Sequence, residues 1–296
     1  MERKKASDFD QEVLNLFDQY VHGAIDRRGF LDGAARFAVG GVTAAMLLDQ
    51  LSPNFAAAQV IAPTDARLST ARVDVPSPQG NGTIRGYLCR PANATGRLPG
   101  VLVIHENRGL NPHIEDVTRR LALDNFVAFA PDALTPLGGY PGTEDEARGL
   151  FGKLDQMKTR EDFVAAAGYL KAHEHCTGRI GAVGFCYGGG ICYMLATRVP
   201  DLAASVPFYG NSPAVEDAAK VNAPLLVHHA ETDERINAAW PAFEAALKAA
   251  GKRFERHLYP GTQHGFNNDT TPRFDEAAAR LAWGRTLAFF NTHLRG

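Results

Sequence analysis

The chain lacks an excess of either charge, paired cysteines, a long apolar run and any internal repeat. Its 31 Lys and Arg against 33 Asp and Glu leave a formal net charge of −2. No basic cluster marks its carboxyl-terminal two thirds, so a nucleic-acid partner is not expected. Four cysteines are present, Cys89, Cys176, Cys186 and Cys192, with no Cys-x-x-Cys pair and no histidines at zinc-finger spacing. No metal centre is expected. Cys186 and Cys192 lie within two helical turns of each other and should not bridge, whereas the spacing leaves a Cys89–Cys176 disulfide open. The small-residue apolar run over 34–48 is too short and too glycine-rich for a stable membrane span. At 296 residues and 45% hydrophobic content, the chain can bury a large core and still carry an extension.

What is present centres on Gly184-Phe185-Cys186-Tyr187-Gly188. Residues 179–183 read as a short buried strand and 189–197 as a tightly packed helix. The segment between them has the form of a nucleophile elbow with cysteine at its tip, where glycines let the backbone bend sharply. Alone, the pattern is weak. A buried strand over 224–229 follows, then Glu231, Asp233 and Glu234 in a loop, a helix over 237–250 and an alternating strand over 254–259. His264 lies in the glycine-flanked loop beyond it. In α/β-hydrolases the nucleophile, acid and histidine follow one another along the chain, each after a strand. Cys186, Asp233 and His264 meet that order. His228 and His229 lie inside a strand and suit packing better, while Cys192 suits the core.

These residue types serve one chemistry. The thiolate is the nucleophile, and a neighbouring imidazole can generate it and later protonate the leaving group. A carboxylate fixes the imidazole's tautomer and orientation. The Tyr187 amide opens a helix at the elbow and can donate to an oxyanion. A second donor is expected from the loop Glu106-Asn107-Arg108-Gly109, which follows a strand over 101–105.

From about Arg72 to the carboxyl terminus the sequence resembles the dienelactone hydrolases (carboxymethylenebutenolidases). Glu106 after its strand, the cysteine elbow and the later Asp and His loops carry the resemblance. It implies a Cys186–Asp233–His264 triad, an oxyanion hole from the Asn107 and Tyr187 amides, and a Glu106 that contacts the resting thiol and takes its proton. It also implies opening of a lactone or small ester through an acyl-cysteine, without metal or organic cofactor. One departure concerns the arginine that the family places shortly after the histidine. Here that stretch reads Phe266-Asn267-Asn268-Asp269, so Arg108 or Arg148 becomes the candidate for gripping a substrate carboxylate. A broader carboxylesterase or thioesterase, a redox-sensing thiol and a non-catalytic binding protein are the alternatives.

The order of elements implies an α/β-hydrolase fold, a mostly parallel sheet covered by helices on both faces. Residues 71–75 and 83–88 read as an antiparallel start, 116–121 as helix, 126–130 as strand, and 131–143 as a loop over the strands' carboxyl ends. Helices are expected at 144–156 and 159–173, a strand at 203–208, and a terminal helix over 273–294 that turns Leu281, Phe289 and Phe290 to the sheet. The catalytic domain is assigned to 70–296.

Residues 1–60 form a separate segment. Asp26-Arg27-Arg28-Gly29-Phe30-Leu31, the apolar run and Asn54-Phe55-Ala56-Ala57-Ala58 resemble a twin-arginine export signal. That predicts a periplasmic or otherwise exported protein. Against it, Leu14, Phe17, Tyr20 and Val21 form a helical stripe. Such a helix would pack on the body or on a second copy in a homodimer, as a structural extension of a cytoplasmic enzyme.

Overall fold

The alternation after residue 70 forms an eight-stranded sheet in the computed structural model, which describes residues 4–296. Its strands are β1 (Leu68–Ser77), β2 (Gly82–Pro91), β3 (Leu98–Ile104), β4 (Val127–Pro131), β5 (Cys176–Phe185), β6 (Ala204–Phe208), β7 (Leu225–Ala230) and β8 (Phe254–Tyr259). They lie in the order β1-β2-β4-β3-β5-β6-β7-β8. The expected antiparallel start is β1 against β2, with Val75 opposite Ile84. β2 also runs antiparallel to β4, and the pairs beyond are parallel. The chain goes from β3 to one side, to β4, and returns to β5 on the other. This reversal opens a crevice at the strands' carboxyl ends, where ligands bind in such sheets.

Among the described residues four α-helices precede the sheet: α1 (Gln11–Val21), α2 (Arg27–Ala34), α3 (Ala44–Leu51) and α4 (Phe55–Ala58). Six more are interleaved with it: α5 (Pro112–Leu123), α6 (Glu144–Phe151), α7 (Gln156–Ala172), α8 (Tyr187–Arg198), α9 (Glu234–Ala249) and α10 (Glu276–Arg295). Side chains alternate across each strand, so β3 sends Leu102 and Ile104 to one face and Val101 and Val103 to the other. The first face packs on Phe163 of α7, Ile191 of α8 and Trp240 of α9. The second packs on Ile114 and Val117 of α5 and Phe290 of α10. Burial of one such side chain contributes roughly 1.5–3 kcal/mol, so this double covering holds the site's platform rigid.

The terminal helix departs from expectation in its start and in the placement of Leu281. It starts at Glu276, where the Asp275 carboxylate accepts the Ala278 N–H and caps it. Phe290 is fully buried and Phe289 partly so, but Leu281 is 51% exposed. At 100° per residue it sits about half a turn round the helix from Phe290. The disulfide left open by spacing is not formed, since Cys89 and Cys176 are buried free thiols.

The amino-terminal stripe does become a helix. Asp10 caps α1, and Val13, Leu14, Phe17 and Tyr20 bury against Phe30, Leu48 and Leu51 in a small core of their own. α1 stops where Gly23 takes a left-handed φ of 79°, leaving His22 as its C-cap. Its last carbonyls are taken by the body. Arg148 donates to Tyr20 O at 2.9 Å, and the Arg108 guanidinium and the Asn107 side-chain Nδ2 donate to Val21 O at 3.0 and 2.9 Å. The Arg148 guanidinium also lies over the Tyr20 ring, 4.0 Å from its centroid. Further along, the Val60 and Ile61 amides donate to Asp116. The extension is thereby fixed over the crevice. Among the described residues no helix is long and apolar enough to cross a membrane.

Candidate active site

The elbow forms where β5 turns into α8. Cys186 holds φ 55° and ψ −110°, a strained conformation that lifts its side chain off the sheet. The flanking glycines are sterically required. A Cβ on Gly184 would lie 2.2 Å from Gly188 O, and one on Gly188 would lie 2.3 Å from Ile104 O. Tyr187 is the first residue of α8, so its N–H has no carbonyl in a preceding turn and points at the helix's amino end. The Asn107 N–H, in the loop after β3, donates to no backbone carbonyl among the described residues. The two expected oxyanion donors thus sit on adjacent, parallel-strand loops.

Asp233 ends the loop after β7 and caps α9, accepting the Ile236 N–H at 3.4 Å. Its other oxygen takes the proton-bearing Nδ1 of His264 at 2.5 Å. Both side chains are buried. Burial alone would raise the Asp233 carboxyl, but the bond and charge of His264 outweigh it and hold the group below its ordinary value. The Nε2 of His264 has no hydrogen-bond partner. It faces the thiol, and its ring meets the Tyr209 ring at 5.0 Å.

The competing candidates are occupied elsewhere. His228 is buried between the hydroxyls of Tyr259 and Thr286, at 2.8 and 3.1 Å. His229 accepts from Arg256 at 3.1 Å. Glu231 accepts the Gly261 N–H at 2.8 Å and ties its loop to the one after β8.

The sequence argument missed one imidazole. His22 enters from the end of α1, and its Nε2 lies 3.5 Å from Cys186 Sγ. Its Nδ1 is 2.8 Å from Asp18 O and 3.2 Å from Asp18 Oδ1. The His22 and His264 rings meet edge to face, 4.7 Å apart. One donor atom from each of His22, Cys186 and His264 falls within 4.8 Å of the others. Such a sulfur–nitrogen cluster has donors of the kind that soft cations favour, and it has equally the crowding that thiol–imidazole proton transfer needs.

Electrostatics favour an ionised thiol. Burial pushes Cys186 up, but the His264 charge and the His22 hydrogen bond prevail and bring it to about 5. Its place at the amino end of α8 acts in the same direction. Burial likewise pulls His22 down, yet its bonds to Asp18 and Cys186 raise it to about 10. His264 is also raised, by the Cys186 charge and the Asp233 bond, against its own burial.

The site opens into a cavity of about 380 Å³, walled by Glu106, Arg108, Cys186, His264, His22 and Arg273 among others. Glu106 does not hydrogen-bond the thiol; its carboxylate accepts from the Asn268 amide at 3.0 Å. Arg108 reaches the cavity wall but directs its donors to Val21 O and Asn107 O. Arg148 is engaged by Tyr20 and Ile25 carbonyls. Arg273, nine residues beyond His264, lines the same cavity, pairs with Asp18 at 3.3 Å and keeps a buried Nε without a partner. It lies beyond the 266–269 stretch in which the family resemblance places such an arginine.

A parallel sheet with this switch point and this elbow defines an α/β-hydrolase. The chain belongs to the dienelactone hydrolase family, whose model matches residues 84–294. A second model, described as YqhI-like, matches residues 1–39. The chain is 32% identical over 253 residues to a Salmonella typhi protein described as "Putative carboxymethylenebutenolidase", covering 79% of this chain and 93% of that one. It is 48% identical over 114 residues to the "Putative hydrolase fragment YghX" of Escherichia coli K12, covering 38% and 97%. A Klebsiella pneumoniae crystal structure titled "Putative Dienelactone Hydrolase" superposes with a TM-score of 0.67 at 29% identity, covering 75% of this chain and 98% of the other.

Proposed function

We propose that the protein is a cysteine-dependent hydrolase that opens a lactone or cleaves a small ester through an acyl-cysteine. The observation that carries this reading is the alignment of Cys186, at a strained elbow, with the buried Asp233–His264 pair. Family membership supports the bond cleaved. In the first step the Cys186 thiolate attacks the carbonyl carbon, a C–S bond forms, and the carbonyl electron pair moves onto oxygen beside the Tyr187 and Asn107 amides. Collapse breaks the C–O bond, and the His264 imidazolium gives its proton to the departing alkoxide. Neutral His264 then takes a proton from water, which attacks the thioester, and the thiolate leaves again.

A carboxylate-bearing substrate suits the wall carrying Arg108 and Arg273. Arg273 is the better grip, because its Nε is unpartnered while Arg108 is tied to α1. Glu106 serves in this reading as a cavity-wall carboxylate held by Asn268. Of the two readings of the amino-terminal segment, we infer the structural one. Arg27 of the twin-arginine motif pairs with Asp145, and the stripe that could have seated a second copy is buried within its own chain. The test is ester and lactone hydrolysis by the wild type and Cys186→Ala. The reading expects turnover by the wild type alone; undiminished turnover by the variant would remove Cys186 from the mechanism.

A further inference from the structure

We propose that His22, brought in by the amino-terminal extension, is a second catalytic imidazole that holds the Cys186 thiolate through the reaction. This deepens the hydrolase reading and rests on Cys186 as nucleophile. Three observations carry it. His22 Nε2 is the hydrogen-bond partner of the sulfur, at 3.5 Å, in the place where Glu106 was expected. Its Nδ1 is fixed by Asp18, so that an Asp–His pair from α1 stands next to the Asp233–His264 pair at the same sulfur, the two imidazoles in edge-to-face contact. And the imidazole stands at the carboxyl end of α1, where the helix dipole favours a cation.

The two imidazoles have different tasks. His264 has its free Nε2 toward the reacting centre and moves protons to the leaving group and from water. His22 stays protonated. Its charge balances that of the thiolate before attack, and when the C–S bond of the thioester breaks the electron pair stays on sulfur, where the His22 N–H hydrogen-bonds the returning thiolate. No proton is lost or gained at His22 over the cycle, so the stoichiometry of ester plus water to acid plus alcohol is unchanged. The groups facing this pair are Asp18 on α1, His264 and Arg273 after β8, Arg235 of α9, and Glu106 and Arg108 after β3. Arg235, 3.4 Å from His22 Nε2, opposes the imidazolium, and Asp18 offsets it.

The experiment is the rate of Cys186 alkylation by iodoacetamide as a function of pH, on the full chain. Wild type is compared with His22→Gln, Asp18→Asn and His264→Ala. His22→Gln should move the thiol's midpoint up by about two units, within the range that loss of an adjacent cation gives, cutting alkylation near pH 6 about tenfold relative to pH 9. Asp18→Asn should shift it the same way by less, with the imidazole still in place. A His22→Gln profile that superposes on wild type, while His264→Ala shifts its own, would overturn the proposal. The assay needs no substrate. A His22-dependent profile without ester turnover would therefore sink the hydrolase reading and leave the thiolate-holding role standing.

Discussion

Two Asp–His pairs meet at one sulfur, and they belong to different parts of the chain. Asp233 and His264 sit on loops after β7 and β8, and the sheet that aims them also carries Cys186. Asp18 and His22 sit one turn apart at the end of a short helix. That helix is held to the sheet by side chains, Arg108, Arg148 and Asn107 on its last carbonyls. The first pair is built into the platform. The second is docked onto it, so its hold on the thiol is only as stable as the extension. Chemistry that needs proton transfer should therefore rest with the sheet pair, and tuning of the thiol with the docked one.

Variants should separate the two. His264→Ala should lower kcat/KM by about 10²–10⁴-fold, the usual contribution of a general acid–base; a loss under tenfold would shift proton transfer to His22. Phe17→Ala strikes the docked pair and the Arg273 guanidinium that lies over the Phe17 ring, and leaves the Asp233–His264 pair untouched. Phe17 is buried against Phe30 and Tyr20, and removing a buried phenylalanine costs about 3–5 kcal/mol. Amide exchange should rise across α1 and α2 and stay unchanged in β3 and β5. Cys186 alkylation should then follow the His22→Gln profile. Faster exchange throughout the sheet would mean that extension and platform unfold as one unit. Arg273→Ala should raise KM for anionic esters about tenfold, ~1.4 kcal/mol, with neutral esters less affected. Equal change for both would assign Arg273 to holding Asp18.

The pH dependence follows from the same groups. The thiol is lowered to about 5 and His22 is raised to about 10. The thiolate's stabilisation holds above the unfolded thiol's ordinary value and is lost as pH falls through about 5. That of the imidazolium holds below the ordinary histidine value and is lost as pH rises through about 10. Between these limits the ion pair persists, so alkylation should be flat over that window. A midpoint near the free-thiol value would show that neither pair acts on Cys186.

The contrast also explains what could be read before folding. Each member of the proposed triad follows a strand, and strands announce themselves by apolar runs, so the order of Cys186, Asp233 and His264 could be read from the sequence. The hairpin of β1 and β2 was visible for the same reason, and the division between α6 and α7 from helical periodicity, within a few residues at their ends. His22 had no such marker. Its partner is 164 positions away, and the stripe of Leu14, Phe17 and Tyr20 drew attention to the buried face of α1. Asp18 and His22, one turn apart beside a helix-ending glycine, were the signal available. Arg273 lay beyond the few residues where a carboxylate grip was sought, and Leu281 was placed by composition where helical phase puts it outside.

The most direct measurement is to trap the acyl-enzyme. The full chain is mixed with a small aryl ester, quenched in acid within the first turnover and analysed by intact mass and peptide mapping. The account predicts the acyl mass on the peptide containing Cys186, absent in Cys186→Ala and longer-lived in His264→Ala. Turnover with Cys186 unmodified, or an acyl group on another side chain, would contradict it.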